Sequence, residues 1–199
     1  MRPDGGQDVR MPRLDGGLSH LVPFTEQHLH AERYFAWLND YEVMKTINRP
    51  EYLTSITFDE VVVYVEGLWK SKNDSFYALC LNADGRFIGT VRVAGLNWYS
   101  RVADVGIMIG DRSVWGRGIA SDAIRTICGY LFEELGLRKL TAGAMANNPA
   151  VIRAFEKSGF VREGLLRQQD RFENGYVDHV YLGCFMDEFS RAVGSDRGD

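Results

Sequence analysis

Cysteine is scarce in this sequence, and no apolar run is long. Its three cysteines, Cys80, Cys128 and Cys184, stand far apart, each inside an apolar stretch. An odd and scattered set excludes a disulfide framework and a cysteine metal site, so the three read as reduced core thiols of a cytoplasmic protein and no metal is expected. No stretch approaches the about 20 apolar residues that a membrane helix needs, which leaves no expected membrane partner. Met1 to Gly17 is rich in Gly, Pro and charge and lacks the apolar centre of a signal peptide. Positive charge is also short, with 23 Lys and Arg against 27 Asp and Glu and a net charge of −4. That balance argues against broad nucleic-acid binding, which needs a basic face. It fits a local basic pocket on an otherwise acidic protein, good for an anionic cofactor and a cationic acceptor.

What is present is enough apolar material for one core, 45% of 199 residues. The patterns predict one domain over residues 18–187, between flexible tails at 1–17 and 188–199. Leu18 to Phe24 reads as a strand, and Thr25 can cap a helix from Glu26 to Asn39-Asp40, followed by a short helix from Glu42 to Ile47. Thr57-Phe-Asp-Glu60 is a capping box that opens a helix over Phe58 to Lys70. Ser75 to Leu81 and Arg86 to Gly95 are strands around an Asn-Ala-Asp-Gly turn, and Val102 to Gly110 pairs next. A late hairpin joins Phe160–Phe172 to Tyr176–Phe185. The order β-α-α-α-β-β-β-α-β-α-β-β implies an α+β fold with a mixed sheet flanked by helices.

The most informative segment is Arg112-Ser-Val-Trp-Gly-Arg-Gly-Ile-Ala-Ser-Asp-Ala-Ile-Arg-Thr-Ile, which follows a strand and opens a helix from Gly116 to Leu135. Gly116 and Gly118 leave backbone N–H groups uncovered by any Cβ, at the positive end of a helix dipole of about half a charge, which suits a phosphate. Gly118, Ile119 and Ala120 can aim N–H groups at a pyrophosphate, with Arg112 and Arg117 supplying charge. The spacing is neither that of a P-loop nor G-x-G-x-x-G. Downstream come a strand, Leu137-Arg-Lys-Leu-Thr-Ala-Gly-Ala-Met-Ala, and the helix segment Asn147-Asn-Pro-Ala-Val-Ile-Arg-Ala-Phe-Glu-Lys-Ser-Gly-Phe160.

That order, from about Leu18 to Phe185, resembles the GNAT acetyltransferase superfamily. There a pyrophosphate loop R/Q-x-x-G-x-G/A precedes a helix, a strand and an N-x-x-(S/A)-x-x-x-(Y/L)-E-K-x-G-F helix. Within it the chain looks most like the RimJ/RimL group, which acetylates protein N-termini and other primary amines. The resemblance implies the GNAT fold, a mostly antiparallel central sheet in one domain, with acetyl-CoA as cosubstrate. It implies a cofactor site over Gly106, Ile107, Met108 and Ile109, whose backbone would pair with the pantetheine amides, and over Arg112, Trp115, Gly116, Arg117, Gly118, Ile119, Ala120, Asn148 and Phe155. Trp115 stands where the family has Gln or Arg, and Asn148 matches the motif Asn. Gly106 reads equally as a bulge or close approach and as a packing glycine.

Asp104 lies where many relatives carry a Glu, a position some of them use as general base, and it shares a strand face with Gly106 and Met108. Asp104 and Asn148 are the catalytic candidates. The usual thiolate proton donors, Ser and Tyr, are Val151 and Phe155 here, which leaves Tyr130, Tyr99 or water. On the acceptor side the resemblance points to Trp37, Asn39, Glu163 and Asp178, with Asp40, Arg49, Glu51 and Asp170 as further polar candidates. His179 reads as a surface or satisfied histidine rather than a base. Asn147 can cap a helix or meet cofactor.

The expected reaction is direct attack of a primary amine, a peptide N-terminus or a small-molecule amine, on acetyl-CoA. Lack of an evident strong base favours amines of low pKa, such as an α-amino group near 7.7–8.0. Alternatives are the amino group of a nucleotide-linked sugar, and a non-catalytic acetyl-CoA sensor. One sequence does not fix the oligomeric state, a homodimer being one option.

Overall fold

The computed structural model describes residues 11–45, 47 and 54–195. Among them eight strands form one sheet: β1 (Leu14–Asp15), β2 (Ser19–Pro23), β3 (Ser75–Leu81), β4 (Phe87–Asn97), β5 (Val102–Ile109), β6 (Lys139–Met145), β7 (Val161–Phe172) and β8 (Gly175–Phe185). The spatial order is β1-β2-β3-β4-β5-β6-β8-β7, and every pair is antiparallel except β5 with β6. A parallel pair requires a crossover, and helix α5 (Ile119–Gly129) supplies it.

The helices divide between the two faces. α1 (Glu26–Leu29), α2 (Glu32–Leu38), α3 (Tyr41–Met44) and α4 (Phe58–Lys70) bury Leu29, Trp37, Val43, Val61 and Val65 with Phe76, Ala78 and Cys80 of β3. On the other face Ala123, Ile124 and Ile127 of α5 pack in one core with Tyr77 and Leu79 of the same strand. β3 is therefore buried on both sides, which is why its sequence runs apolar without alternation. α6 (Pro149–Glu156) and α7 (Met186–Ser195) join the α5 side, through Phe155 and Phe189. Among the described residues, the core under α1–α4 includes no residue of β6 or β8. All three cysteines are buried free thiols, and burial pushes Cys184 up to about 12.

Several boundaries differ from the sequence pattern, each for a local reason. The expected helix from Glu26 breaks at His30–Ala31 into α1 and α2. Leu29 and Tyr34 lie five positions apart, off one helical face, and the break lets both point inward. The short helix after it ends at Met44, before Ile47, and Arg49 and Glu51 lie outside the described residues. α5 starts at Ile119 instead of Gly116, because Gly116 (φ 74°) and Gly118 (φ 80°) take left-handed backbone, and it ends in a π-helical turn at Tyr130–Glu134. The sheet reaches back to Leu14, inside the expected N-terminal tail. The Asp122 carboxylate holds that entry by accepting the N–H groups of Gly17, Leu18 and Ser19 and the Ser19 hydroxyl, at 2.8, 3.1, 2.9 and 2.7 Å. At the other end α7 continues past residue 187, and its Phe189 packs on Phe132 with ring centroids 5.4 Å apart.

Candidate active site

β5 and β6 pair over three rungs only, Val102 with Lys139, Ala103 with Leu140 and Asp104 with Thr141. Beyond that point β5 stays with β4 to Ile109 and β6 stays with β8 to Met145, so the two halves of the sheet part. A cavity of about 290 Å³ occupies the gap. One lip is Val105, Gly106, Ile107 and Met108, and the other is Gly143, Ala144 and Met145. Main-chain groups of the β5 lip that turn away from β4 have no strand opposite them, which leaves them for an extended, amide-bearing ligand.

Gly106 opens onto this gap, since a Cβ there would meet no atom within 4 Å. It is neither a packing glycine nor a bulge. Its register with Arg92 is regular, and the irregularity in that pair falls between Ala94 and Asn97 of β4. The parting needs no distortion of β5, because pairing with β6 simply ends.

The loop after β5 forms a 3₁₀ turn at Arg112–Val114 and then the two left-handed glycines. Trp115 is 44% exposed and donates its indole N–H to the Ile109 carbonyl at 2.9 Å, so it caps the strand end. Arg112 stacks over the Trp115 ring at 5.8 Å and lies 3.6 Å from Asp40. Arg117 is exposed. At the α5 start, Ile119 is buried and Ala120 half-buried, and helix geometry leaves their N–H groups without intrahelical acceptors. A Cβ on Gly116 would meet nothing within 4 Å and one on Gly118 only Leu18 at 3.8 Å, so the approach to these amides is open.

α6 supplies the cavity's end wall. Asn148 caps it through Oδ1, which accepts Val151 N–H at 3.3 Å, and Asn148, Val151 and Phe155 all line the cavity. Phe155 is 2% exposed and packs on Phe160 at 4.9 Å. The cap is thus Asn148, not Asn147, whose Oδ1 is buried without a partner among the described residues. Open amides at the α5 end, an unpaired β5 lip and an orphaned amide oxygen together fit a cosubstrate with a pyrophosphate and an amide-bearing arm.

Asp104 sits at the neck of the gap, where Thr141 Oγ1 donates to its Oδ2 at 2.8 Å. Burial pushes its carboxyl above the ordinary value, and the Thr141 hydroxyl, Arg92 and His179 pull the other way. It does not line the cavity; His179 does.

The acceptor candidates do not converge on the cavity. Trp37 is core, packed on Phe87 at 5.1 Å, and Gly110 has no room for a Cβ beneath its ring. Asn39 ties α2 to the approach of α4, donating to the carbonyls of Phe35 and Ile56 and accepting Ile56 N–H. Glu163 pairs with Lys139 at 2.6 Å, and Asp178 accepts Gln168 N–H at 2.8 Å. Each is engaged in holding the fold. Tyr99 is 99% exposed on the β4–β5 turn and Tyr130 lines a separate surface hollow, so among the described residues the phenols lining the cavity are those of Tyr34 and Tyr64. Leu38, Met44, Phe76 and Met108 make that side apolar, with Thr90 and Arg92 as its polar groups. Arg92 is held by Asp74 through Nε and Nη2 at 3.2 and 2.7 Å.

Residues 20–161 match the model of the acetyltransferase (GNAT) domain. The chain belongs to the GNAT acetyltransferase family. As a GNAT enzyme it is an N-acetyltransferase that uses acetyl-CoA. It is 32% identical to the probable N-acetyltransferase YjcK of Bacillus subtilis over 123 residues, 61% of this chain and 67% of that one. It is 26% identical to a spermidine N(1)-acetyltransferase of Vibrio cholerae over 148 residues, 70% of this chain and 83% of that one. The crystal structure of spermidine N-acetyltransferase from Vibrio cholerae in complex with CoA and spermine superposes with a TM-score of 0.77 at 21% identity, covering 86% of this GNAT chain and 98% of that one. Among the described residues no helix is long and apolar enough to cross a membrane, and no cluster of potential metal ligands occurs.

Proposed function

We propose that this GNAT enzyme acetylates a primary amine carried on a small, largely uncharged and apolar body, a peptide N-terminus with an apolar first residue included, by direct attack on acetyl-CoA. The RimJ/RimL likeness of its motifs supports that acceptor class. The observation that carries the reading is the lining of the cavity between the parted strands. Its acceptor side is Tyr34, Leu38, Met44, Tyr64 and Phe76, and among the described lining residues there is no carboxylate. The one arginine among the described lining residues, Arg92, already faces Asp74. A polyamine brings several ammonium charges, and burying a cation without a partner costs several kcal/mol. The Vibrio cholerae relative's spermidine is therefore not carried over.

In this reading Gly116, Gly118, Ile119 and Ala120 hold the pyrophosphate, and the lip from Gly106 to Ile109 holds the pantetheine amides. Asn147 and Asn148 lie at the turn nearest the cofactor arm. The amine enters on the β6 and β8 side of the cavity, where Gly143, Ala144, Met145 and His179 line it. Thiol release from acetyl-CoA, measured over N-terminal peptides, benzylamine, spermidine, aminoglycosides and amino-sugar nucleotides, tests the proposal. Benzylamine and peptides with an apolar first residue should exceed spermidine by at least about tenfold in kcat/KM, a difference of about 1.4 kcal/mol. Spermidine as the best acceptor would overturn the reading.

A further inference from the structure

β7 is exposed along nearly all its length, with one exception. Asp170 is 2% exposed, and its Oδ2 lies 2.6 Å from His179 Nδ1 on β8. The exception has a geometric origin. Leu166 pairs with His179 while Asp170 pairs with Val177, so β7 carries extra residues over that stretch. Gln168 within it takes φ 51°, and the Asp178 carboxylate holds its N–H. The irregularity turns Asp170 inward against the imidazole.

An ionised carboxylate only accepts hydrogen bonds, so Nδ1 carries the imidazole proton and Nε2 presents its lone pair. The position of Nε2 is marked by Gly143, where a Cβ would stand 2.5 Å from it. Gly143 and His179 both line the cavity, on the β6 side of the gap. Tyr181 flanks the ring at 4.9 Å, and Asp104 across the gap interacts electrostatically with it. An imidazole oriented by a buried carboxylate, with its basic nitrogen at the cavity, is the arrangement of a general base.

We propose that His179 is a catalytic residue that takes the ammonium proton of the acceptor amine at Nε2, and that Asp170 positions it. The proposal rests on the acetyl-transfer reading above. The ammonium N–H bond breaks to Nε2, giving imidazolium and a free amine. The amine lone pair forms the C–N bond to the acetyl carbon, and the C–S bond breaks with its electron pair going to sulfur. The proton that the new amide nitrogen sheds goes to that sulfur, and the imidazolium returns its proton to solvent.

The test compares two acceptors of similar shape, benzylamine, protonated at neutral pH, and O-benzylhydroxylamine, whose nitrogen is already neutral there. His179→Gln should lower kcat with benzylamine by about 100-fold or more yet change it within about threefold with O-benzylhydroxylamine. Its acetyl-CoA affinity by calorimetry should be unchanged. Asp170→Asn should lower kcat with benzylamine at unchanged acetyl-CoA affinity, and ¹⁵N spectra of the imidazole should change from the Nδ1–H tautomer to a mixture. Because Asp170 is buried, Gly143→Ala serves as a second variant, displacing the ring while leaving both partners in place, and should reproduce the selective loss with benzylamine. Equal losses with both acceptors, or benzylamine turnover retained in His179→Gln, would overturn the role of His179 while leaving acetyl transfer standing. A native chain that releases thiol with neither acceptor would overturn the apolar-amine acceptor proposed above and, with it, the role of His179.

Discussion

Thr141 donates its hydroxyl to Asp104 at 2.8 Å across the last rung that joins β5 to β6. The pair therefore marks the point at which one sheet becomes two lips, and it sets a carboxylate beside the gap without placing it on the cavity wall.

Replacement of Asp104 by Asn separates stability from turnover. Burial raises the proton affinity of Asp104 in the folded chain, so its contribution to stability is fully present below the ordinary carboxyl pKa of about 3.9 and is lost as pH rises through the raised value. Asn does not titrate. Because Asp104 remains partly open to solvent, Asp104→Asn should raise the unfolding temperature at pH 7 only slightly relative to the native chain, and the advantage should vanish near pH 3. With His179 as base, kcat should fall by less than about tenfold. A loss as large as that of His179→Gln would return the base role to Asp104.

Gly118→Val covers the α5 amides with a branched side chain at a position where φ is 80°. Coenzyme A binding should weaken at least about tenfold, or about 1.4 kcal/mol. The left-handed backbone adds a folding cost of about 1–2 kcal/mol. Calorimetric titration and thermal unfolding read the two effects separately, and unchanged affinity would remove the loop from the cofactor site.

Phe155→Tyr places a phenol at the cavity's end wall. Phe155 is 2% exposed, so an unpartnered hydroxyl should cost about 1–3 kcal/mol in stability. If thiolate protonation limits the rate, kcat should rise despite that cost. Steady-state rates in solvents of differing deuterium content check whether a proton transfer is limiting in each form.

Asp122→Ala leaves four donors of the β1–β2 entry without their acceptor. The expected loss is about 1–3 kcal/mol in chemical denaturation, with hydrogen exchange rising at Gly17, Leu18 and Ser19 first.

Local rules made much of the fold legible. The Thr57–Glu60 capping box is present with both of its bonds, and α4 spans Phe58–Lys70 as its apolar spacing predicts. β3 also falls at the predicted Ser75–Leu81. α7 had a signal in the sequence, Phe189 and Val193 one helical turn apart after Asp187-Glu188, obscured by the polar residues that follow. The open backbone of the α5 entry was legible, since its two left-handed glycines need no partner to be recognised. The site was not legible where it depends on register. Asp170 and His179 meet only because β7 carries extra residues after Leu166, and no count along the chain gives that diagonal. Glu163 and Asp178 looked like site residues for the same reason in reverse: their partners, Lys139 and the Gln168 N–H, become visible only once the strands are paired.

The grip of Asp122 on the start of the sheet has an electrostatic side. A carboxylate in the first turn of α5 stands a few residues from the amides that would face a pyrophosphate, and left alone it would repel that anion. Here it turns along the helix flank, where three N–H groups and a hydroxyl solvate it in place of water. The β1–β2 entry thus shields the amide end of the helix from that charge.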